Sequence, residues 1–157
     1  MNKYIKIVLL IVVVFSVMFV TACGKKEENK EQIVNPLYEM KSLDSLQKKV
    51  GYKIPDIEKE VDKYYYVSTD SMSHARVIYS DFSILDIEKS SEDISGIYGG
   101  LKESVETIDD IEVTVYSLED TIYAIWKKDT LSYSYSMKNA SKEQLLEDIK
   151  IIVSKIQ

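Results

Sequence analysis

Leu131-Ser132-Tyr133-Ser134-Tyr135-Ser136-Met137 alternates large apolar side chains with small hydroxyls over seven residues. Successive side chains of a strand point to opposite faces, so this stretch reads as a half-buried strand with its apolar side turned to a core. Working outward, residues 121–127, 111–117 and 102–108 read as strands before it. Residues 64–67 and 75–79 are further strands, rich in tyrosine and β-branched side chains, and 83–88 is a weaker one. Asp109-Asp110, Glu119-Asp120 and Lys128-Asp129 fall between runs as turns, so consecutive strands are expected to pair antiparallel.

Two helices frame these strands. Ser141 with Gln144 three residues on makes a capping box, and Leu145, Leu146, Ile149, Ile152, Val153 and Ile156 recur on one face behind it. Nearer the start, Ser42 is a good N-cap, Leu43, Leu46 and Val50 fall on one side, and Gly51 sits where a helix ends. An apolar stripe has to be buried against another element. The expected fold is α+β: a twisted antiparallel sheet of about six or seven strands, with a short N-terminal helix and a longer C-terminal helix packed on one face.

The N-terminus addresses location. Lys3 and Lys6 precede an apolar run over residues 7–20, followed by Val20-Thr21-Ala22-Cys23. At about 1.5 Å per residue the run spans roughly 21 Å, short of the about 30 Å of a bilayer core, so a cleaved signal is favoured over a permanent span. Val20-Thr21-Ala22-Cys23 resembles the lipobox of bacterial lipoproteins, with Val where Leu is commoner. That resemblance implies diacylglycerol on the Cys23 thiol, cleavage before it, and a protein held at the cell membrane by lipid, facing outside the cytoplasm. Residues 1–22 are then the signal peptide. Residues 23–34, polar and charge-balanced after the cysteine, form a flexible tether, and 35–157 make one globular domain.

Charge and cysteine usage exclude several classes. Cys23 is the only cysteine, so a lipidated chain has no disulfide framework, no thiol nucleophile and no cysteine-bearing zinc site. Without residues 1–22, the chain keeps 18 basic residues against 26 acidic, a net charge of −8. An acidic domain lacks the electrostatic footprint of nucleic-acid binding and should be repelled by an anionic membrane. No cofactor is expected.

The domain itself is similar to a domain of unknown function from low-GC Gram-positive bacteria. Members occur as small lipoproteins and as extracytoplasmic parts of membrane proteins resembling anti-sigma factors. Asn35-Pro36-Leu37 with Ser42-Leu43, Ser91-Glu92-Asp93-Ile94-Ser95-Gly96-Ile97-Tyr98, Asp110-Ile111-Glu112-Val113-Thr114, Ala124-Ile125-Trp126 and Tyr133-Ser134 carry the likeness. It brings no catalytic residues, and implies binding or sensing in the cell envelope.

Individual residues support little chemistry. His74, the sole histidine, precedes a strand and has no nucleophile marked out beside it. Ser45-Leu46-Gln47-Lys48 has the S-x-x-K spacing of penicillin-recognising enzymes, but that spacing arises by chance in a chain so rich in serine and lysine. Gly96, Gly99 and Gly100 match no phosphate loop and read as a turn. Glu92-Asp93 and Asp109-Asp110 lack the spacing of a calcium loop. No catalytic or metal-ligating set is therefore expected. Tyr64, Tyr65 and Tyr66 are the candidate partner-binding surface, because tyrosine supplies rigid apolar area with a hydroxyl. The expected function is a non-catalytic binding or sensing domain with an unknown envelope protein or ligand. The alternatives are a carboxylate-based envelope hydrolase and a carrier of an apolar ligand.

Overall fold

The computed structural model describes residues 37–68, 73–89, 94 and 99–156. These lie in one compact unit, Asn35–Gln157. Cys23, the preceding signal and the tether fall outside the described residues, as do Asn35-Pro36 and most of the 91–98 stretch.

The elements run β1 (Leu37–Met40), α1 (Leu43–Val50), β2 (Val61–Ser68), β3 (Ser73–Tyr79), β4 (Ile84–Glu88), β5 (Leu101–Ile108), β6 (Ile111–Leu118), β7 (Thr121–Lys128), β8 (Leu131–Lys138) and α2 (Lys142–Lys155). The expected six or seven strands are corrected to eight. The addition is β1, four residues with no alternation, which extends the sheet only because β2 offers it an edge.

All pairs are antiparallel, in the order β1-β2-β3-β4-β8-β7-β6-β5. Two four-stranded meanders are thus joined edge to edge by β4 and β8. Pairing of neighbours in sequence fails once: β4 pairs with β8 and β5 goes to the far edge. The weakest sequence signal, 83–88, therefore sits at the centre of the sheet.

Local chemistry closes the hairpins. Asp109 and Asp110, between β5 and β6, take φ 47° and 65°, and Glu119 and Asp129 take 55° and 54°. Two-residue turns with positive φ match the twist of a hairpin, and short polar side chains tolerate it best. The last turn is Asp129-Thr130, one residue beyond Lys128-Asp129. Both helices carry their caps. Ser42 and Ser45 bond reciprocally at 3.2 and 3.1 Å, as do Ser141 and Gln144 at 3.3 and 2.8 Å. Gly51 ends α1 at φ 77°, a conformation cheap only for glycine.

The register assigns each strand residue to a face. Ala75, Val77 and Tyr79 of β3, Leu85 and Ile87 of β4, Val113 and Val115 of β6, Ala124 and Trp126 of β7, and Tyr133 and Tyr135 of β8 belong to one core cluster. Leu46 of α1 and Leu145, Ile149, Ile152 and Val153 of α2 complete it. Trp126 stacks on Tyr133 with centroids 5.3 Å apart.

A lysine and a tyrosine pin the 51–60 connection to this face. Lys59 Nζ meets Asp81 at 2.5 Å, donates to Asp148 at 2.9 Å and to the Tyr135 hydroxyl at 3.0 Å. Burial would lower its pKa, but these partners together hold the ammonium above its ordinary value. The Tyr52 hydroxyl accepts from the Ala75 amide at 3.2 Å and donates to the Ile87 carbonyl, bridging β3 and β4.

Candidate functional site

The other face of the sheet carries no helix residue of the core cluster, yet much of it is shut from water. A row runs Tyr65–Arg76–Asp86–Ser134–Ile125–Thr114 across β2, β3, β4, β8, β7 and β6. Beside it, Val67–His74–Glu88–Ser132–Lys127 crosses the same sheet. His74 is 5% exposed and Asp86 4%, and Glu88, Ser132 and Ser134 are also buried.

Burial of charge demands partners. Arg76, the only arginine in the chain, clasps Asp86 with Nε to Oδ1 at 2.7 Å and a terminal nitrogen to Oδ2 at 3.0 Å. Such bidentate pairs are among the stronger polar contacts. Burial drives the Asp86 carboxyl above its usual range, against the pull of Arg76. His74 Nε2 stands 3.6 Å from Asp86 Oδ1, too far for a hydrogen bond, and neither imidazole nitrogen has a hydrogen-bond partner among the described residues. Burial lowers the His74 pKa, Asp86 opposing and Arg76 reinforcing, so the ring is neutral at neutral pH. Among the described residues no serine hydroxyl bonds to the ring, so they assemble no Ser-His pair here.

Where β6, β7 and β8 meet their turns, a cleft of about 490 Å³ opens beside this face. Ile94, Ile125, Thr114, Glu112, Lys127 and Ser132 line it, with Asp109, Asp110 and Asp129 from the turns. The acids are exposed. A second cleft of about 340 Å³ lies round the β7–β8 turn, against Gln47, Ile54 and Ile156, and shares Lys128, Asp129 and Tyr133 with the first. Among the described residues no group of three or more histidine, cysteine or acidic side chains converges as a metal site. No described helix is long and apolar enough to cross a membrane.

The tyrosine trio is divided between faces. Tyr64 and Tyr66 pack against the core cluster, and Tyr65 lies on the opposite side beside Arg76. All three keep part of their surface in solvent. Ser45 is spent on the α1 cap, which removes it from any nucleophile role with Lys48. Gly100 lies so close to Tyr123 that an added Cβ would collide with the ring and hydroxyl, whereas Gly99 meets nothing and turns the chain at φ 84°. Gly96 is outside the described residues.

Sequence reasoning passed over Arg76 and Asp86. Their signal was present: Arg76 is the one ion within its β-forming run, and Asp86 alternates with Glu88 in the next, which puts both on the face opposite Val77 and Leu85. That β3 and β4 bring them side by side is a matter of register.

Comparisons with protein-family models, with curated proteins and with solved structures return no match for this chain.

Proposed function

We propose that this chain is a lipoprotein anchored through Cys23 to the outer side of the cell membrane, whose domain over residues 35–157 binds or senses an envelope ligand without catalysis. Residues 1–22 act as signal peptide and 23–34 as tether. The basic start, apolar run and Val20-Thr21-Ala22-Cys23 support the anchor. Two acyl chains hold a protein stably, since each buried CH₂ contributes about 0.8 kcal/mol.

One observation carries the binding reading: a half-open cleft of mixed chemistry beside a sheet face whose charges are already committed to one another. Both oxygens of Asp86 are taken by Arg76, so it is unavailable as a base. The cleft's carboxylates Asp109, Asp110, Glu112 and Asp129 stand exposed to solvent, outside the apolar enclosure in which a general acid is built. Ile94 and Ile125 supply apolar contact, and Thr114 supplies a hydroxyl that orients a ligand.

A photoreactive residue replacing Thr114 in the full-length, membrane-held chain tests this. One discrete adduct in native envelopes, missing when the probe replaces exposed Glu143 of α2, is expected. Equal labelling from both positions, or none from 114, overturns the assignment of the cleft. The anchor is tested apart: Cys23→Ser should abolish metabolic lipid labelling, and undiminished labelling refutes it.

A further inference from the structure

We propose that the corner where β1 meets α1 is the surface that lies against an anionic lipid bilayer. This rests on the reading of Cys23 as the lipid anchor.

Charge is distributed unevenly along the chain. Residues 37–53 carry four lysines and two acids, a net +2, while 54–157 carry 11 basic and 21 acidic residues, a net −10. Part of the positive segment meets one edge of the sheet. Lys49 of α1 sits 4.9 Å above the Tyr66 ring, and Tyr66 lies 6.0 Å from Tyr38 of the edge strand. Lys41 and Lys48 are exposed next to this corner in sequence, and no described ion pair engages Lys41, Lys48 or Lys49. Lys53 lies elsewhere, lining the cleft round the β7–β8 turn. The two acids of this segment offset the lysines only in part. Glu39 belongs to the other side, with Lys63 at 3.8 Å, and Asp44, one turn before Lys48 on α1, offsets one lysine.

An apolar group stands at the same place. Tyr38 is 47% exposed on the α1 side of the edge strand, where the chain arrives from the anchor, while Leu37, 38% exposed, turns to the other side with Glu39. Lysine beside tyrosine suits the boundary between headgroups and acyl chains. Leu37 lies fourteen positions beyond Cys23, a reach of at most about 50 Å, so the corner is the part of the described fold nearest in chain length to the lipid.

The acidic remainder does not prevent this contact. Eight strands at about 4.8 Å put the β5 edge about 34 Å from β1, several times the about 8 Å screening length at physiological salt. The lysines at the corner therefore feel the membrane, and the acids toward the β5 edge are screened, whereas exposed Asp62 on β2 stays closer to the corner. Repulsion of the acidic bulk then selects the orientation in which this corner faces down.

The test uses the full-length lipidated chain carrying Tyr38→Cys. With Cys23 capped by lipid, the new thiol is the only one to take a fluorophore. Vesicles of phosphatidylcholine, with or without phosphatidylglycerol, hold a lipid-linked quencher. Quenching at position 38 is expected with phosphatidylglycerol and not without it, and a label on Thr107→Cys, exposed on β5, should stay bright. Adding Lys48→Gln and Lys49→Gln should lower the docked-to-free ratio about 25-fold, from about fivefold per lysine near an anionic surface. Should Tyr38→Cys disturb the edge, Leu37→Cys gives the same reading. Equal quenching at 38 and 107, or quenching indifferent to phosphatidylglycerol or to the lysines, overturns the proposal. The mass of the N-terminal peptide separates the two readings: lipid present without quenching refutes the docking alone, and lipid absent refutes the anchor and the docking with it.

Discussion

On the helix-bearing face Val77, Leu85, Ile87, Val113 and Val115 are shut from solvent by apolar neighbours. On the other face His74, Asp86, Glu88, Ser132 and Ser134 are nearly as hidden, but their stability depends on pairing. Apolar burial contributes in proportion to area and asks for no particular partner. Buried charge contributes only while its counter-charge stays in place, because desolvating each ion alone costs several kcal/mol. One face therefore rests on packed apolar area and the other on matched charges.

Arg76 and Asp86 give the largest test. In the 35–157 fragment, Asp86→Ala leaves the guanidinium without its counter-ion and should cost about 3–5 kcal/mol. Replacing both, Arg76→Met with Asp86→Leu, should cost far less, and urea midpoints of the three proteins check this. If the double change is as damaging as the single, this face is held by packing and the contrast disappears. Next, Ile149→Ala on α2, fully buried, should cost about 2–5 kcal/mol as a cavity in the core. An unchanged midpoint would mean that α2 is not a core element.

Phe82 sharpens the comparison at the tip joining β3 to β4. Its amide bonds to the Tyr79 carbonyl at 2.9 Å and the Tyr79 amide to the Ser83 carbonyl at 3.0 Å, a three-residue hairpin loop. Its third position is left-handed and usually taken by glycine. Phenylalanine stands there at φ 63° and 77% exposed, so neither burial nor backbone preference accounts for it. Phe82→Gly should raise stability by about 1–2 kcal/mol, read as a higher urea midpoint. A fall would show that the ring packs in solution.

The smallest expected effect is the pH dependence of His74. Its folded pKa lies below the ordinary 6.5, so on acidification the unfolded chain takes up the proton first. Its contribution is fully present above about pH 6.5 and declines as pH falls through that value toward the lowered folded pKa. His74→Gln should flatten stability between pH 7.5 and 5.5. As the sole histidine, its imidazole NMR signal reads the pKa directly, and a midpoint above 6.5 would contradict a neutral buried ring.

Periodicity and punctuation carried much of the fold in plain view. The Leu131–Met137 alternation, the positive-φ acidic turns and the Ser141–Gln144 cap are all local, and short-range sterics with hydrogen bonding suffice to decide them. The α2 stripe was legible for the same reason, its spacing being that of the helix itself. Sequence by itself also carries the proposed anchor at Cys23, because a signal and lipobox would be read as an extended string before any fold exists. The register of the short β3–β4 hairpin sets Arg76 against Asp86. Tertiary structure alone decided that β4 pairs with β8 and that four residues of β1 form an edge. Each depends on which distant strand supplies the facing backbone, and the cost of closing a chain loop rises so slowly with length that local sequence cannot choose among the closures.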